Sequence, residues 1–462
     1  MVLALSLSLF AANGLSCFGQ ENKPPANPEK MNRAAEAAVE SGERELAERS
    51  FSAAEAQFRN AVALSPKLAE AHHGLGIALW NEGKSDEALR ELTEAAQLNP
   101  SSAAFHLDLA RAAWTLANRA QSAGEAGAEL RADSYREIAI AQLQQALGIN
   151  ANDPASRLNL AELELESRRP KDAVTQAQEV IERDPANAAA FLLLGRADLA
   201  QDNEVQAASE FEKSIALNPK SGEGYLALGN LRARERDYPE AVNALQGAIR
   251  VSPHLGAAYG ELAQIFEITH QDAQALAVLK QAVAIDPADW ESAYQLGKLD
   301  ASSGKENDAM ALFQRALALH SDFPEAREQL ALGLVRRRDL AGAEAQANTI
   351  IARRPKVFEG HRVMALVLWK QRNYDSSLAE CAVALDANPQ SPGVLAVQAL
   401  DLWQESRRNE ARQALVALAK IQPNVGSAEV FCRLVLCDAS DAGVVGDFLR
   451  RNAWALSPPD QP

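Results

Sequence analysis

The stretch that decides the fold is residues 222–255, GEGYLALGNLRARERDYPEAVNALQGAIRVSPHL. Apolar and small residues recur in it at three- and four-residue spacings, first around Gly229 and then around Leu245. This spacing predicts two amphipathic helices. Asp237 lies in the turn between them, and Pro253 ends the second helix because a residue that precedes proline avoids the α conformation. The stretch is therefore a predicted helical hairpin.

The hairpin recurs along the chain with a period of 34 residues. Prolines mark the period at Pro66 and Pro100, at Pro185, Pro219, Pro253 and Pro287, and at Pro355, Pro389 and Pro423. Ser321 stands in the slot that is missing from the third group. One hairpin leaves an apolar face open, which only a neighbouring hairpin can bury. The sequence therefore predicts an all-α solenoid without an independent core in any hairpin.

The pattern resembles the tetratricopeptide repeat, a helix–turn–helix unit of 34 residues. The resemblance implies a right-handed superhelix whose partner-binding surface is lined by the first helix of each unit, at positions 2, 5, 9, 12 and 13. Positions are counted from the first residue of a unit. We count eleven units: 35–68, 69–102, 103–153, 154–187, 188–221, 222–255, 256–289, 290–323, 324–357, 358–391 and 392–425.

The third unit and the end of the solenoid depart from the regular pattern. The third unit carries about 17 extra residues, roughly 118–134. They predict a lengthened helix pair, a mobile loop or a partner-specific insertion. Residues 426–450 are predicted as a capping pair of helices, because a solenoid must cover its open end. Residues 451–462 are predicted as a tail.

The first residues of the chain predict export. Residues 1–19, MVLALSLSLFAANGLSCFG, form an apolar run that is too short to span a bilayer and is typical of a signal peptide. Residues 20–34 are polar and rich in proline, as in a linker. Leu15 stands one place too close to Cys17 for a lipoprotein signal, which argues against a lipid anchor there. We therefore expect a periplasmic or extracellular protein, with association to an outer membrane left open.

Composition and motifs argue against nucleic-acid binding and catalysis. The net charge of −16 repels a polyanion, so no nucleic-acid partner is expected. Residues 78–85 match a loose phosphate-loop pattern, but they fall at a helix end and its turn, without the preceding strand that such a loop needs. The seven histidines are scattered, with no metal-ligand spacing. We predict a protein that is not an enzyme and that holds neither metal nor cofactor.

The candidate binding residues lie on the first helices of repeats nine to eleven. Residues 324–372 hold ten Lys/Arg against five Asp/Glu, which indicates either a basic site or a solvated face. Leucines and tryptophans recur beside them, as an apolar site or as ordinary packing. The predicted partner-binding residues are Leu332, Val335, Arg336, Arg362, Leu366, Trp369, Lys370, Leu400 and Trp403, and a second site is predicted at Trp80 and Trp114.

These features predict a non-catalytic scaffold for protein–protein interaction in a bacterial cell envelope. Its partner is expected to be a protein or peptide, and at repeats nine to eleven an acidic amphipathic segment. The alternative is a regulatory or substrate-recruiting subunit of a separately encoded enzyme. Among the cysteines, Cys381 occupies a packing position, whereas Cys432 and Cys437 are either thiols or a disulfide.

Overall fold

The computed structural model describes residues 28–123 and 127–453. Within these ranges every regular element is a helix, as the sequence predicts. The predicted signal peptide, residues 1–19, lies outside the described residues, as does Cys17. The first helix begins at Pro28 and so corrects the predicted linker, 20–34, at its end. A proline is compatible with the first helical position, and the following MNRAAEAA is rich in strong helix formers.

The helices follow one another in pairs. The first twelve are α1 (Pro28–Ala47), α2 (Phe51–Leu64), α3 (Ala69–Asn81), α4 (Ser85–Leu98), α5 (Ala103–Ala123), α6 (Ala128–Ile149), α7 (Pro154–Glu166), α8 (Pro170–Arg183), α9 (Ala188–Leu199), α10 (Glu204–Leu217), α11 (Gly222–Arg234) and α12 (Tyr238–Val251). The others are α13 (Gly256–Ile268), α14 (Asp272–Ile285), α15 (Trp290–Ser302), α16 (Glu306–Leu319), α17 (Pro324–Arg336), α18 (Leu340–Arg353), α19 (Phe358–Lys370), α20 (Tyr374–Ala387), α21 (Pro392–Gln404), α22 (Arg408–Ile421), α23 (Ala428–Leu434) and α24 (Ala442–Asn452). The odd-numbered helices from α1 to α21 are the first, or A, helices of the eleven repeats, and their even-numbered partners are the B helices.

The chain divides into two compact units. The first ends at Ala113 and includes residues 148–151, and the second contains residues 114–147 and the chain from Asn152 onward. The division falls inside the enlarged third repeat. Within each unit consecutive helices pack side by side, and A helices also contact the next A helix, as α1 does with α3 and α19 with α21. Each pair therefore buries its apolar face on its neighbour.

Glycine at position 8 makes room for phenylalanine at position 24. A Cβ atom on Gly195 would lie 2.6 Å from the ring of Phe211, closer than any carbon contact allows. The same match joins Gly42 to Phe58 and Gly297 to Phe313. These phenylalanines are buried almost completely. The two helices of a pair can approach closely only because one side contributes no side chain.

The turn between the A and B helices has one conformation throughout the regular repeats. Position 15 is left-handed in ten of the eleven units, all except the enlarged third. Only Gly83 and Gly304 are glycines there, whereas Arg338, for example, has a φ of 63°. A left-handed residue with a side chain costs roughly 1–2 kcal/mol. The packing of the paired helices therefore fixes this turn against its local preference.

Position 4 connects successive repeats through hydrogen bonds. His361 Nε2 lies 2.9 Å from the carbonyl oxygen of Pro355, and its Nδ1 lies 2.6 Å from a carboxylate oxygen of Glu380. The Tyr259 hydroxyl donates to the carbonyl of Pro253 at 3.0 Å. The same bond to a preceding proline carbonyl is made by His72 and His106. These histidines therefore have a structural role between helices.

The extra residues of the third repeat lengthen its helices. Helix α5 continues to Ala123 and α6 starts at Ala128, so most of the segment 118–134 is helical. Arg136 on α6 is almost fully buried, and its guanidinium donates to Gln121 of α5 at 2.6 Å and to Asp133 at 2.8 Å. Of the three alternatives, the lengthened helix pair describes this part of the chain.

The last helices cover the end of the second unit. A 3₁₀ turn, Pro423–Gly426, leads into α23, and α24 follows after an irregular segment. Phe431 of α23 and Phe448 of α24 are fully buried, and their ring centroids lie 5.7 Å apart. They join the core that α17 to α22 form. The predicted cap is present as a helical pair, with α24 ending at Asn452, two residues beyond the predicted boundary at 450.

Candidate functional site

The apolar residues predicted for partner binding are buried. Five of them, Leu332, Val335, Leu366, Trp369 and Leu400, are each 5% exposed or less and belong to the core of the second unit. The expectation that this row faces solvent is wrong. The physical reason is that adjacent A helices pack against each other there, while the cap covers α21. Of the alternatives given by the sequence, ordinary packing describes these side chains in the folded chain.

Trp403 is half-buried and held between two neighbours. The ring of Phe448 meets its indole edge-on at 5.6 Å, and the guanidinium of Arg408 lies 3.5 Å from the ring centroid on its face. This cation–π contact and the aromatic contact fix the indole on α21. The cap therefore uses Trp403 as an attachment point.

The three basic residues of the prediction all have acidic neighbours. Arg336 lies 3.0 Å from Glu306, and Arg362 lies 3.1 Å from Glu328. Burial raises the pKa of Glu328 to about 7, although the charge of Arg362 opposes the shift. The two guanidinium groups are a third or more exposed, so they still present donors to solvent.

Lys370 is almost fully buried, because the chain's own C-terminal part covers it. Its ammonium donates to the carbonyl oxygen of Leu436 at 2.6 Å and pairs closely with Asp441. Next to it, Arg338 lies 3.3 Å from Asp438. The segment between α23 and α24 thus carries two carboxylates onto the basic surface of repeats nine and ten.

A small cavity remains open beside this segment. Its volume is about 300 Å³, and four predicted residues, Leu332, Arg336, Arg362 and Leu366, contribute to its lining. Leu434 closes the side towards the cap. The structure therefore brings these four residues together, while it places Val335, Trp369, Leu400 and Trp403 in the packing around them.

The predicted second site at Trp80 and Trp114 is divided between the two units. In the first unit Trp80 packs against the core that contains Leu75 and Leu79. In the second unit the indole N–H of Trp114 donates to Glu166 at 3.0 Å. Each indole is half-buried and has contacts within its own unit.

A larger hollow lies on the A helices of repeats seven and eight. Its volume is about 520 Å³, and α13 and α15 form its walls. Positions 2, 5, 9 and 12 of repeat seven line it with Ala257, Gly260, Gln264 and Glu267. A Cβ atom on Gly260 would meet nothing within 4 Å. The hollow thus exists because small residues occupy the places where other repeats carry bulky ones.

An aromatic cluster forms the other side of this hollow. Phe323 contacts Trp290 and Tyr294, with ring centroids 4.8 and 4.6 Å apart, and His320 stacks on Trp290 at 4.5 Å. Phe323 is extended because it precedes Pro324, the first residue of α17. Repeat eight lacks the usual proline at position 32, and its altered turn places this ring on the hollow.

The charge of the hollow is mainly negative. Glu261, Glu267 and Glu291 line it, and the structure records no ion pair for them within the described residues. Burial raises the pKa of Glu261 and raises that of Tyr294 to about 12. Lys298 is the one basic lining residue recorded, with its ammonium 5.6 Å from the Tyr294 ring centroid. The arrangement can accept a basic side chain between carboxylates and aromatic rings.

The sequence analysis missed this hollow, although it contained a signal. Position 5 of repeat seven is Gly260, and position 5 of repeat eight is Tyr294. A glycine facing an aromatic residue at the slots that line the surface indicates a recess. The contribution of Phe323 had no such signal, because it depends on the turn that replaces the missing proline.

The described residues show no arrangement for metal binding or phosphate binding. Among them no group of three or more His, Cys, Asp or Glu side chains could hold a metal ion. Residues 78–85 form the end of α3, its turn and the start of α4, where Lys84 pairs with Glu55 at 2.8 Å and Glu82 at 2.7 Å. The helices described here are also too short or too polar to cross a membrane.

Comparison with protein families agrees with this architecture. The family model described as tetratricopeptide repeat matches residues 73–137, 158–222, 226–289 and 328–392, more than half of the chain. The chain therefore belongs to the tetratricopeptide-repeat family. Proteins of this family generally act as scaffolds for protein–protein interaction.

Solved structures of related shape include three long repeat proteins. Yeast Tom70 is 16% identical, with 91% of this chain and 97% of that chain covered and a TM-score of 0.40. A tetratricopeptide repeat protein from Parabacteroides merdae is 16% identical, with 65% and 99% covered and a TM-score of 0.41. Pseudomonas aeruginosa pilF is 19% identical, with 51% and 97% covered and a TM-score of 0.36. No curated protein matched the sequence.

Proposed function

We propose that the chain is a non-catalytic adaptor that binds a segment of a partner protein in the hollow between α13 and α15. The observation that carries the proposal is the open recess of about 520 Å³ at positions where the A helices of this family present their surface. Most apolar side chains at the equivalent positions of repeats nine to eleven are buried instead.

The chemistry of the hollow favours a basic partner segment. Three carboxylates face one lysine, and the chain as a whole has a net charge of −16. A lysine or arginine side chain that enters the recess can lie on Tyr294 or Trp290 while its charge approaches Glu261. Carboxylates and aromatic faces both attract such cations, more strongly where water is partly excluded.

Gly260→Leu tests the proposal by filling the recess. A side chain at this position meets open space, and leucine favours helix, so the fold should be kept. The matched control is Gly148→Leu on α6, where a side chain also meets nothing within 4 Å. A fluorescein-labelled peptide of alternating lysine and leucine serves as the probe, with fluorescence anisotropy as the measurement.

We expect Gly260→Leu to weaken peptide binding at least about tenfold, the equivalent of 1.4 kcal/mol, and the control to leave it unchanged. Capture from an envelope fraction then identifies the natural partner as the protein that the wild type and the control retain and Gly260→Leu loses. Equal binding of the peptide by all three chains would show that the hollow is not the site.

We also propose that the adaptor works in the bacterial cell envelope. The support is the apolar run of residues 1–19, followed by the polar linker. Cell fractionation and sequencing of the mature N-terminus test this proposal. An intact residue 1 in a cytoplasmic fraction would contradict it, and cleavage near Gly19 would support it.

A further inference from the structure

The segment between the capping helices crosses the basic surface of repeats nine to eleven. The carbonyl oxygen of Leu434 lies 3.5 Å from the position that a Cβ atom on Gly393 would take. Leu436 and Asp441 contact Lys370 in repeat ten, and Asp438 contacts Arg338 in repeat nine. The segment therefore passes over three successive A helices or their turns.

Residues 436–441, here called the strap, differ from the helices on both sides. Val435 and Val445 are fully buried, whereas all six strap residues are half-buried or exposed. The strap is not helical, and it is held by the ion pairs of its two carboxylates and by the bond from Lys370. It can therefore leave the surface while Phe431 and Phe448 keep the cap in place.

The backbone of the strap is under local strain. Leu436 has a φ of 48°, a left-handed conformation that a bulky side chain rarely adopts. Such a conformation persists only where contacts around it compensate, here the bond that its carbonyl accepts from Lys370. Release of the strap relieves this strain, which favours displacement.

Carboxylates are what this surface binds within the chain. A hydrogen bond from Ser440, with the nearby charges of Lys370 and Arg338, lowers the pKa of Asp438, so this group is an anion at neutral pH. The adjacent cavity of about 300 Å³ presents Arg336 and Arg362, which offers a second acidic side chain a place beside the strap.

We infer that the strap is an intramolecular occupant that blocks this surface until an acidic segment of a partner protein displaces it. The inference rests on the proposed adaptor function and adds a regulated second site, with the opposite charge preference to that of the hollow. An internal occupant has a high effective concentration, so it lowers the apparent affinity for a competing segment and excludes weak ones.

The test compares two charge reversals in the full chain. Asp438→Lys/Asp441→Lys repels the strap from Lys370 and Arg338. The control, Glu429→Lys/Asp447→Lys, changes the net charge equally on cap residues whose recorded ion pairs are with cap arginines. The probe is a fluorescein-labelled peptide of residues 434–442 with Cys437→Ser, and anisotropy gives its affinity.

We expect the strap variant to bind this peptide at least about tenfold more tightly than the wild type or the control. Equal affinities of the three chains would overturn the inference. A second measurement needs no variant: in the wild type, amide hydrogens of the strap should exchange at least about tenfold faster than those of Phe431 and Phe448. Exchange of all of them at one rate would also overturn it, whereas loss of binding in Gly260→Leu bears only on the hollow.

Discussion

The ring of Phe448 meets the indole of Trp403 edge-on, with centroids 5.6 Å apart and ring planes at 70°. This contact joins the last helix of the cap to the last A helix. It turns a tryptophan that occupies a candidate binding position into part of the core. The cap therefore decides which side chains of repeats ten and eleven a partner can reach.

Phe448→Ala should loosen the cap. Phe448 is fully buried against Trp403 and Phe431, so its truncation leaves a cavity and costs about 3–5 kcal/mol at this end of the chain. We expect the C-terminal helices to unfold at lower urea concentration, with a red shift of tryptophan fluorescence. Val444→Ala, at an exposed position of the same helix, is the control and should change the midpoint little. Identical midpoints for both variants would contradict the role of the ring.

Asp401→Asn should change how stability depends on pH. Asp401 is fully buried on α21, and burial raises its pKa from 3.8 to about 8 against the opposing effect of Ser377. Between these values the folded state holds a proton that the unfolded state has lost. The free energy of unfolding therefore falls as pH rises from about 4 to about 8, by up to about 1.4 kcal/mol per pH unit.

The asparagine variant lacks this titration. Urea unfolding at pH 5, 6.5 and 8 should show the variant gaining stability relative to the wild type as the pH rises. The matched control is Asp447→Asn on α24, whose carboxylate is substantially exposed and pairs with Arg451. A constant difference between Asp401→Asn and the wild type at all three pH values would show that Asp401 does not hold a proton in the folded chain.

Gly195→Val should be destabilising through overpacking. The added side chain meets the ring of Phe211 at less than contact distance, which costs roughly 1–3 kcal/mol. Phe211→Leu in the same chain should restore part of the loss, since a smaller side chain relieves the clash. Thermal or urea unfolding of the two single variants and the double variant measures the coupling. Strict additivity of the three free-energy changes would argue against direct contact between positions 8 and 24.

Cys381 should be the least reactive thiol of the described residues. It is fully buried in the core of repeats ten and eleven, and burial raises the pKa of its thiol. The neutral form is a poor nucleophile, so alkylation should be at least about tenfold slower than at half-buried Cys432. Mass spectrometry of peptides after timed labelling measures the two rates. Equal rates in the native protein would mean that the C-terminal core opens on the labelling timescale.

The sequence predicted the helix pairs well because their determinants are local and repeated. The period of 34, the small residues at position 8 and the turn residues act within one hairpin or between direct neighbours. The same reasoning found the capping helices from their pattern after Pro423. Burial of Leu332 or Trp369 could not be found this way, since those slots face solvent or core according to what covers them.

The sequence by itself therefore determined the helical repeat architecture and the class of protein. Only the tertiary structure decided where a binding surface is open. The hollow depends on the turn at Phe323 and on Gly260 lying opposite Tyr294, and the basic surface is covered by a strap about 70 residues away along the chain. Periodicity fixes contacts between neighbouring repeats, whereas these contacts join segments that no repeat pattern relates.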